Sequence, residues 1–447
     1  MKKLMSLLLA AALLLMMASC GSSSPQNEAP DSSADGEEIV TTLSGPVELT
    51  FWHCISNTTH LGILNKLIDD FNSGIGAEMG ITVTATAQGS TADLYNATVG
   101  AIKANTAPDV LMTTPGHTAD YLMADCVTDL TPYINDPNVG MSDVSDFYER
   151  FWEQGSSYEK EGMYSLPIHM KAEVLYYDTD FFAEHGLTAP TTWDEMIETS
   201  KKITEITGDP AFGWDSMASA LVTMSLQQGA EFTTSDGEIL LFNYDDVVYD
   251  VIDTWKSCVD DGIWRLAGED KLFSGPFANR IIPMYIGVTT ESAWIAQKQA
   301  DDNFHWTAVP IPQYNSDTPA VFQEGHCIEI LNQSNDPEKI YAAWEFIKYM
   351  TSHDANLATA CGSGYMPIRK SVAEDPVYLE YIETSGNTAL VAGTEQANAY
   401  YISPAFVTDT YTSVGLWTEL QNMMNNILNN GVAPEDALNQ LKAEFQS

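Results

Sequence analysis

The side chains able to do covalent chemistry are numerous here but not arranged for it. The chain carries 62 acidic residues and eight histidines in 447 residues. The histidines are scattered, with no HExxH pair, and neither a GxSxG elbow nor a phosphate-cradling GxxxxGK[ST] loop occurs. Metalloprotease, serine-hydrolase and P-loop chemistry are therefore unsignalled. Carboxylates are so abundant that a glycosidase-like acid/base pair stays open, yet nothing in the sequence sets two particular ones at a working separation. Apart from Cys20, the cysteines are Cys54, Cys126, Cys258, Cys327 and Cys361. Their number is odd, their spacing wide, and no CxxC occurs, so neither a disulfide framework nor a zinc site is indicated and buried free thiols are expected. No metal and no cofactor are expected.

Charge narrows the partners. Nineteen basic against 62 acidic residues leave a net charge of −43. Such a chain repels nucleic acid and anionic lipid, so no nucleic-acid partner is expected. The acids read otherwise as a solvated surface.

The amino terminus reads as an export signal. Lys2 and Lys3 precede an apolar run, Leu4–Met17, that falls short of the ~20 residues a spanning helix needs. Ala18 and Ser19 are the small residues a signal peptidase requires. Cys20 directly after them resembles the lipobox of bacterial lipoproteins, with Met17 where leucine is usual. The resemblance implies a signal peptide over 1–20, a lipidated Cys20 as the mature terminus, and membrane contact only through the lipid anchor. Each buried CH₂ of such an anchor contributes ~0.8 kcal/mol. An ordinary cleaved signal with a chance cysteine is the plainer alternative. Residues 21–45, rich in Ser, Pro, Asp, Glu and Gly, have almost nothing to bury and read as a disordered linker.

About 400 residues remain for the body, enough for two domains of good core size. Val47–Trp52 alternates in the strand manner, Leu61–Phe71 has a helical apolar face, Ile81–Thr84 is a second strand, Tyr95–Ala104 a helix, and Pro108–Met112 a third strand. That alternation is the βαβ pattern of a parallel α/β lobe. Further helices are expected around Thr192–Thr207, Val247–Asp261, Pro337–Met350, Ser413–Asn430 and Pro434–Phe445, with short apolar runs such as Ile281–Ile286 and Cys327–Leu331 between them. The fold class is α/β, in two lobes.

Seven segments then carry a resemblance: LTFWH at the first strand, DDFN at Asp69–Asn72, NTAPDVLMTT at Asn105–Thr114, YSLPIHMKAEVLYYDTDFFAEHGL at Tyr164–Leu187, PTTWDEM at Pro190–Met196, GSGYMPIRKSV at Gly362–Val372 and GVAPEDALNQL at Gly431–Leu441. In this order, over nearly all of 46–445, they resemble family 1 solute-binding proteins of ABC importers. The wording is nearest the glycerol-3-phosphate-binding type and more distantly like maltose-binding protein. The resemblance implies a type II two-lobe periplasmic-binding-protein-like fold with a hinged cleft. It places 46–168 with 308–350 in an N-terminal lobe and 169–307 with 351–447 in a C-terminal lobe. It implies a carbohydrate captured in the cleft and passed to permease transmembrane subunits by a monomeric, non-enzymatic carrier on the extracellular face of the cytoplasmic membrane. A glycerol-3-phosphate or glycerophosphodiester ligand is the alternative, and a secreted glycoside-acting enzyme a remote one.

Ligands of open α/β sheets lie outside the carboxyl ends of the strands, which points to Trp52, His53, Thr91, Thr114 and His117. The first crossing strand brings His169 and Lys171. Trp294 in TTESAW matches a loop bearing a stacking tryptophan, and Trp214 is a similar candidate. Tyr365 and Gly325 match ligand-contacting residues of the glycerol-3-phosphate type, while Glu291 and Glu324 are hydroxyl acceptors in waiting. The departures are informative: Thr91 and Pro115 stand where that type has tyrosine and glutamate, Met170 or Lys171 replaces a hinge serine, and its late arginine gives way near Tyr400 and Tyr401. Loss of that arginine removes the bidentate partner best suited to phosphate, so a neutral sugar is favoured.

Overall fold

The computed structural model describes residues 39–296, 304–315 and 317–445; Cys20 and the linker as far as residue 38 lie outside them. The strands are β1 (Val47–His53), β2 (Ile81–Ala87), β3 (Val110–Thr113), β4 (Leu166–Asp178), β5 (Phe212–Trp214), β6 (Met284–Val288), β7 (Trp306–Val309) and β8 (Gln323–Ile330). They run in the order β2-β1-β3-β8-β4-β6-β5, with β7 also on β4. β1 is parallel to β2 and β3, as the βαβ pattern requires, and β8 joins antiparallel.

The helices begin where the sequence supplies caps. Asn57 accepts the N–H groups of Thr59 and His60, so the helix expected from Leu61 starts earlier, at Thr58–Ser73. Ser90 and Asp93 form a reciprocal capping box on Thr91–Ala104. Thr192 and Glu195 do the same for Trp193–Thr207. Pro337–Met350, Ser413–Asn430 and Pro434–Phe445 stand at the expected bounds.

β4 is the element that makes two lobes out of one sheet. Its first half, Leu166–Ala172, pairs with β8, and its second half, Glu173–Asp178, pairs with β6 and β7. The two halves enter different cores. Leu166 and Ile168 pack with Leu49, Phe51, Ile328 and Trp344 in the first lobe. Leu175 packs with Trp193, Phe212, Trp255 and Ile286 in the second, and Val174 with Tyr176, Tyr285 and Phe304 on the opposite face. Each such side chain contributes ~1.5–3 kcal/mol by burial, so both lobes are independently anchored. The segment 308–322 differs from the expectation: Ala308, Ile311 and Val321 lie in second-lobe cores, because β7 pairs with the far half of β4, and the chain returns to the first lobe at β8. Ala355 conversely joins the first-lobe core. A third connection lies beside β4, where Met366 N–H donates to the Met170 carbonyl at 2.8 Å.

Candidate functional site

The crossing strands place the candidates in register. Lys171 faces Glu324, His169 faces His326, and Met170 faces Gly325. Because side chains alternate across a pleat, the first two pairs share one face and Met170 lies on the other. Lys171 Nζ meets Glu324 Oε1 at 2.7 Å. Burial opposes the ammonium's charge, but Glu324 outweighs it and the lysine pKa sits above its ordinary value. Gly325 is a requirement of packing: a Cβ there would lie 1.9 Å from the His169 carbonyl oxygen and 2.8 Å from Met170 Sδ.

The face with Lys171 carries a histidine cluster. His169 stacks on Tyr365 with ring centroids 4.7 Å apart, and His326 stands edge-on to His169 at 5.9 Å. His326 Nε2 is 3.4 Å from Cys54 Sγ, which also accepts the Thr91 hydroxyl at 3.7 Å. His60 packs on Tyr365 and hydrogen-bonds the Ser363 carbonyl. His53 accepts the Ile55 N–H at 3.2 Å. Burial keeps these imidazoles neutral: His326 falls to about 4 through burial and the nearby Lys171 charge, and His169, His53 and His60 are lowered by burial as well.

The other face opens into a cavity of about 260 Å³. Thr114, Pro115 and Gly116 wall it from the first lobe, Ser413, Val414 and Trp417 from the second, and Met170, Gln323, Gly325 and Cys327 lie at its base. Trp417 stacks on Phe322 at 4.9 Å, and Tyr401 lies 6.0 Å from Phe322 with its hydroxyl 3.2 Å from Thr223 Oγ1. The lobes touch here: a Cβ on Gly116 would meet Val414 Cγ2 at 2.7 Å.

The structure thus brings Thr114 and Gly325 to the cavity and Tyr401 beside it through Phe322, while the Lys171–Glu324 pair lies on the opposite face of the crossing strands. His169, Tyr365, His53 and Thr91 gather on the opposite face of the crossing strands. His117, in the first turn after Thr114, stacks on Tyr95 at 4.3 Å and is held at about 4 by burial. Trp52 packs against the Cys54, Leu94 and Leu111 cluster. Glu291 accepts the Tyr285 hydroxyl at 2.8 Å. Trp294 is 42% exposed and does not line the cavity. Trp214 is corrected: it is 1% exposed, stacks on Trp193 and donates its indole N–H to Glu173 at 2.9 Å, so it is a core residue. Sequence reasoning missed Phe322, Trp417, His60 and His326. Trp417 had a signal, since it lies in the second turn of a helix that Thr412 caps; His326 had only its neighbour Gly325.

The family model described as bacterial extracellular solute-binding protein matches residues 66–384. The arabinooligosaccharide-binding protein of Bacillus subtilis (strain 168) is 24% identical over 207 residues, 45% of this chain and 45% of that protein. The chain spans about half the length of the curated relatives it matches. Among solved structures, the cyclic alpha-maltosyl-1,6-maltose binding protein from Arthrobacter globiformis aligns with TM-score 0.74 at 20% identity, over 90% of this chain and 98% of that one. UgpB from Mycobacterium tuberculosis, in complex with glycerophosphocholine, aligns with TM-score 0.72 at 18% identity, over 90% and 98%. These likenesses show the fold, in two lobes.

Proposed function

We propose that this chain, which belongs to the bacterial extracellular solute-binding protein family, captures a mono- or oligosaccharide between its lobes and delivers it to the transmembrane subunits of an ABC importer. The observation that carries the reading is the Phe322–Trp417 stack walling the interlobe cavity, with Thr114, Ser413 and Gln323 also lining it. An apolar ring face beside polar side chains is what a pyranose needs. The comparisons support it, since a protein named for arabinooligosaccharides matches in sequence and one named for cyclic alpha-maltosyl-1,6-maltose shares the fold. The protein is a carrier that leaves its ligand unchanged, and Cys20 tethers it outside the cytoplasmic membrane.

A glycerol phosphate ester is the second reading, favoured by one observation. The helices Pro115–Met123 and Ser413–Asn430 both begin at the cavity, and helix amino termini attract anions. Against it, Lys171 is committed to Glu324 and Arg369 is buried, bound to Asp143 at 2.7 Å and Asp146 at 3.2 Å. A thermal-shift screen of mono-, di- and oligosaccharides beside glycerophosphodiesters decides between them, because a ligand bound only by the native state raises the midpoint. A shift with the diesters alone would replace the first reading by the second.

A further inference from the structure

Two glutamines that line the cavity are held by their nitrogens. Gln154 Nε2 donates to the Ser403 carbonyl at 3.3 Å, and Gln323 Nε2 donates to the carbonyls of Arg150 at 3.3 Å and Tyr401 at 3.4 Å. Carbonyl acceptors on that side fix which end of each amide is oxygen, because turning either amide would set oxygen against oxygen. The amide oxygens are left without a donor among the described residues. Gln323 Oε1 is buried and receives no N–H or O–H, and Gln154 Oε1 receives none either. Both side chains are fastened to the 401–403 segment. Ala405 N–H donates to the Ser157 carbonyl at 3.3 Å and Phe151 stacks on Tyr400 at 5.1 Å, which holds that segment against the 150–157 stretch.

An acceptor so placed asks for a donor. Gln323 is only 6% exposed, so its oxygen has given up water without gaining a hydrogen bond, and buried acceptors in native chains are paired as a rule. The surroundings say what kind of donor fits. No lysine or arginine lines the cavity among the described residues. Glu324 and His326 alternate along β8 with Gln323, Gly325 and Cys327 and turn to the opposite face, where Lys171 and Cys54 engage them. An anion would therefore meet carbonyl oxygens with no cation beside them, and a phosphodiester group can only accept. A sugar hydroxyl can donate, and a donor is what each amide oxygen lacks.

We propose that Gln154 and Gln323 are the specificity-determining residues of the cavity, each accepting the O–H of a ligand hydroxyl, so that the site demands free hydroxyl donors at two positions of the saccharide. The proposal rests on the carbohydrate reading above and deepens it. Replacing either hydroxyl by a group of like size that cannot donate is expected to weaken binding roughly 5–50-fold, because the amide oxygen then stays unpaired in the complex.

The test is calorimetric titration of the full chain with glucose, mannose, arabinose, maltose and maltotriose, followed by the monodeoxyfluoro analogues of whichever binds most tightly. Fluorine is close to a hydroxyl in size and cannot donate. Two positions are expected to show the penalty, one of which disappears in Gln154→Met and the other in Gln323→Met. The penalty is a ratio within one variant, so a general loosening of the cleft, which weakens sugar and analogue alike, leaves it unchanged. Circular dichroism checks that both variants fold. Gln154→Met gives up a single hydrogen bond to the protein and carries the test alone if Gln323→Met does not fold. Penalties that persist undiminished in the folded variants would overturn this proposal alone, as would wild-type binding that no fluorination weakens. Binding of none of these sugars would overturn it together with the carbohydrate reading.

Discussion

The imidazole of His169 lies nearly parallel to the phenol of Tyr365, with centroids 4.7 Å apart and planes 12° from parallel. His169 comes from the first crossing strand and Tyr365 from the third connection, so this stack ties two of the three links between the lobes. Such a pair contributes ~0.5–1.5 kcal/mol beyond its burial. Tyr365→Phe should keep it and stay within about 1 kcal/mol of wild type, while Tyr365→Ala should lose ~2–4 kcal/mol in urea unfolding. Equal losses in the two variants would show that the hydroxyl, not the stack, is what matters.

Glu329 on β8 has no exposed surface, accepts the Thr118 hydroxyl at 2.7 Å, and is pushed by burial from 4.5 to about 8. The folded chain therefore holds a proton that the unfolded chain has released. Its contribution is complete below pH 4.5 and is lost as pH rises towards about 8. Replacing it by glutamine should flatten the decline in urea midpoint between about pH 5 and about pH 8. His326, lowered to about 4, works in the opposite sense: its contribution is present above its ordinary pKa and is lost as pH falls towards about 4. An unchanged slope in Glu329→Gln would refute the buried-acid assignment.

Gly116 and Val414 test whether the lobes meet at the cavity. The obstacle to a Cβ at 116 is the end of a flexible side chain, so Gly116→Ala should cost less than about 1 kcal/mol in stability. It should nonetheless alter ligand affinity by wedging the approach of the lobes, and Val414→Ala should restore it. Gly325→Ala, where the obstacle is backbone, should instead destabilise by ~1–3 kcal/mol or more. If both alanines behave alike, the contact across the cavity is not what sets closure.

Cys20→Ala should release the protein from the membrane or leave its signal uncleaved, with ligand affinity of the soluble body unchanged. Fractionation with immunoblotting reads this out. A correctly processed variant that stays with the membrane would remove the lipid anchor from the account.

The elements were legible because their signals are local. Apolar periodicity marked the helices, though it placed two starts late, at Leu61 and Tyr95, because it ignored the caps Asn57 and Ser90 that open Thr58–Ser73 and Thr91–Ala104; the parallel β1, β2 and β3 follow from the βαβ rhythm. The site was half legible. Lys171 and Glu324 each looked polar and cleft-bound, but only the β4–β8 register makes them partners. Trp214 misled because a tryptophan at a strand end has the same signature whether it faces a cleft or stacks on Trp193 in a core. Phe322 and Trp417 lie 95 residues apart in the chain, so their stack is a product of tertiary packing that no periodicity encodes.

The central claim is that this stack forms the sugar platform, and calorimetry on Trp417→Ala tests it most directly. With the best saccharide from the thermal-shift screen, affinity should fall by the ~1–3 kcal/mol expected of one aromatic contact, with the fold intact by circular dichroism. Undiminished saccharide affinity in that variant would contradict the account.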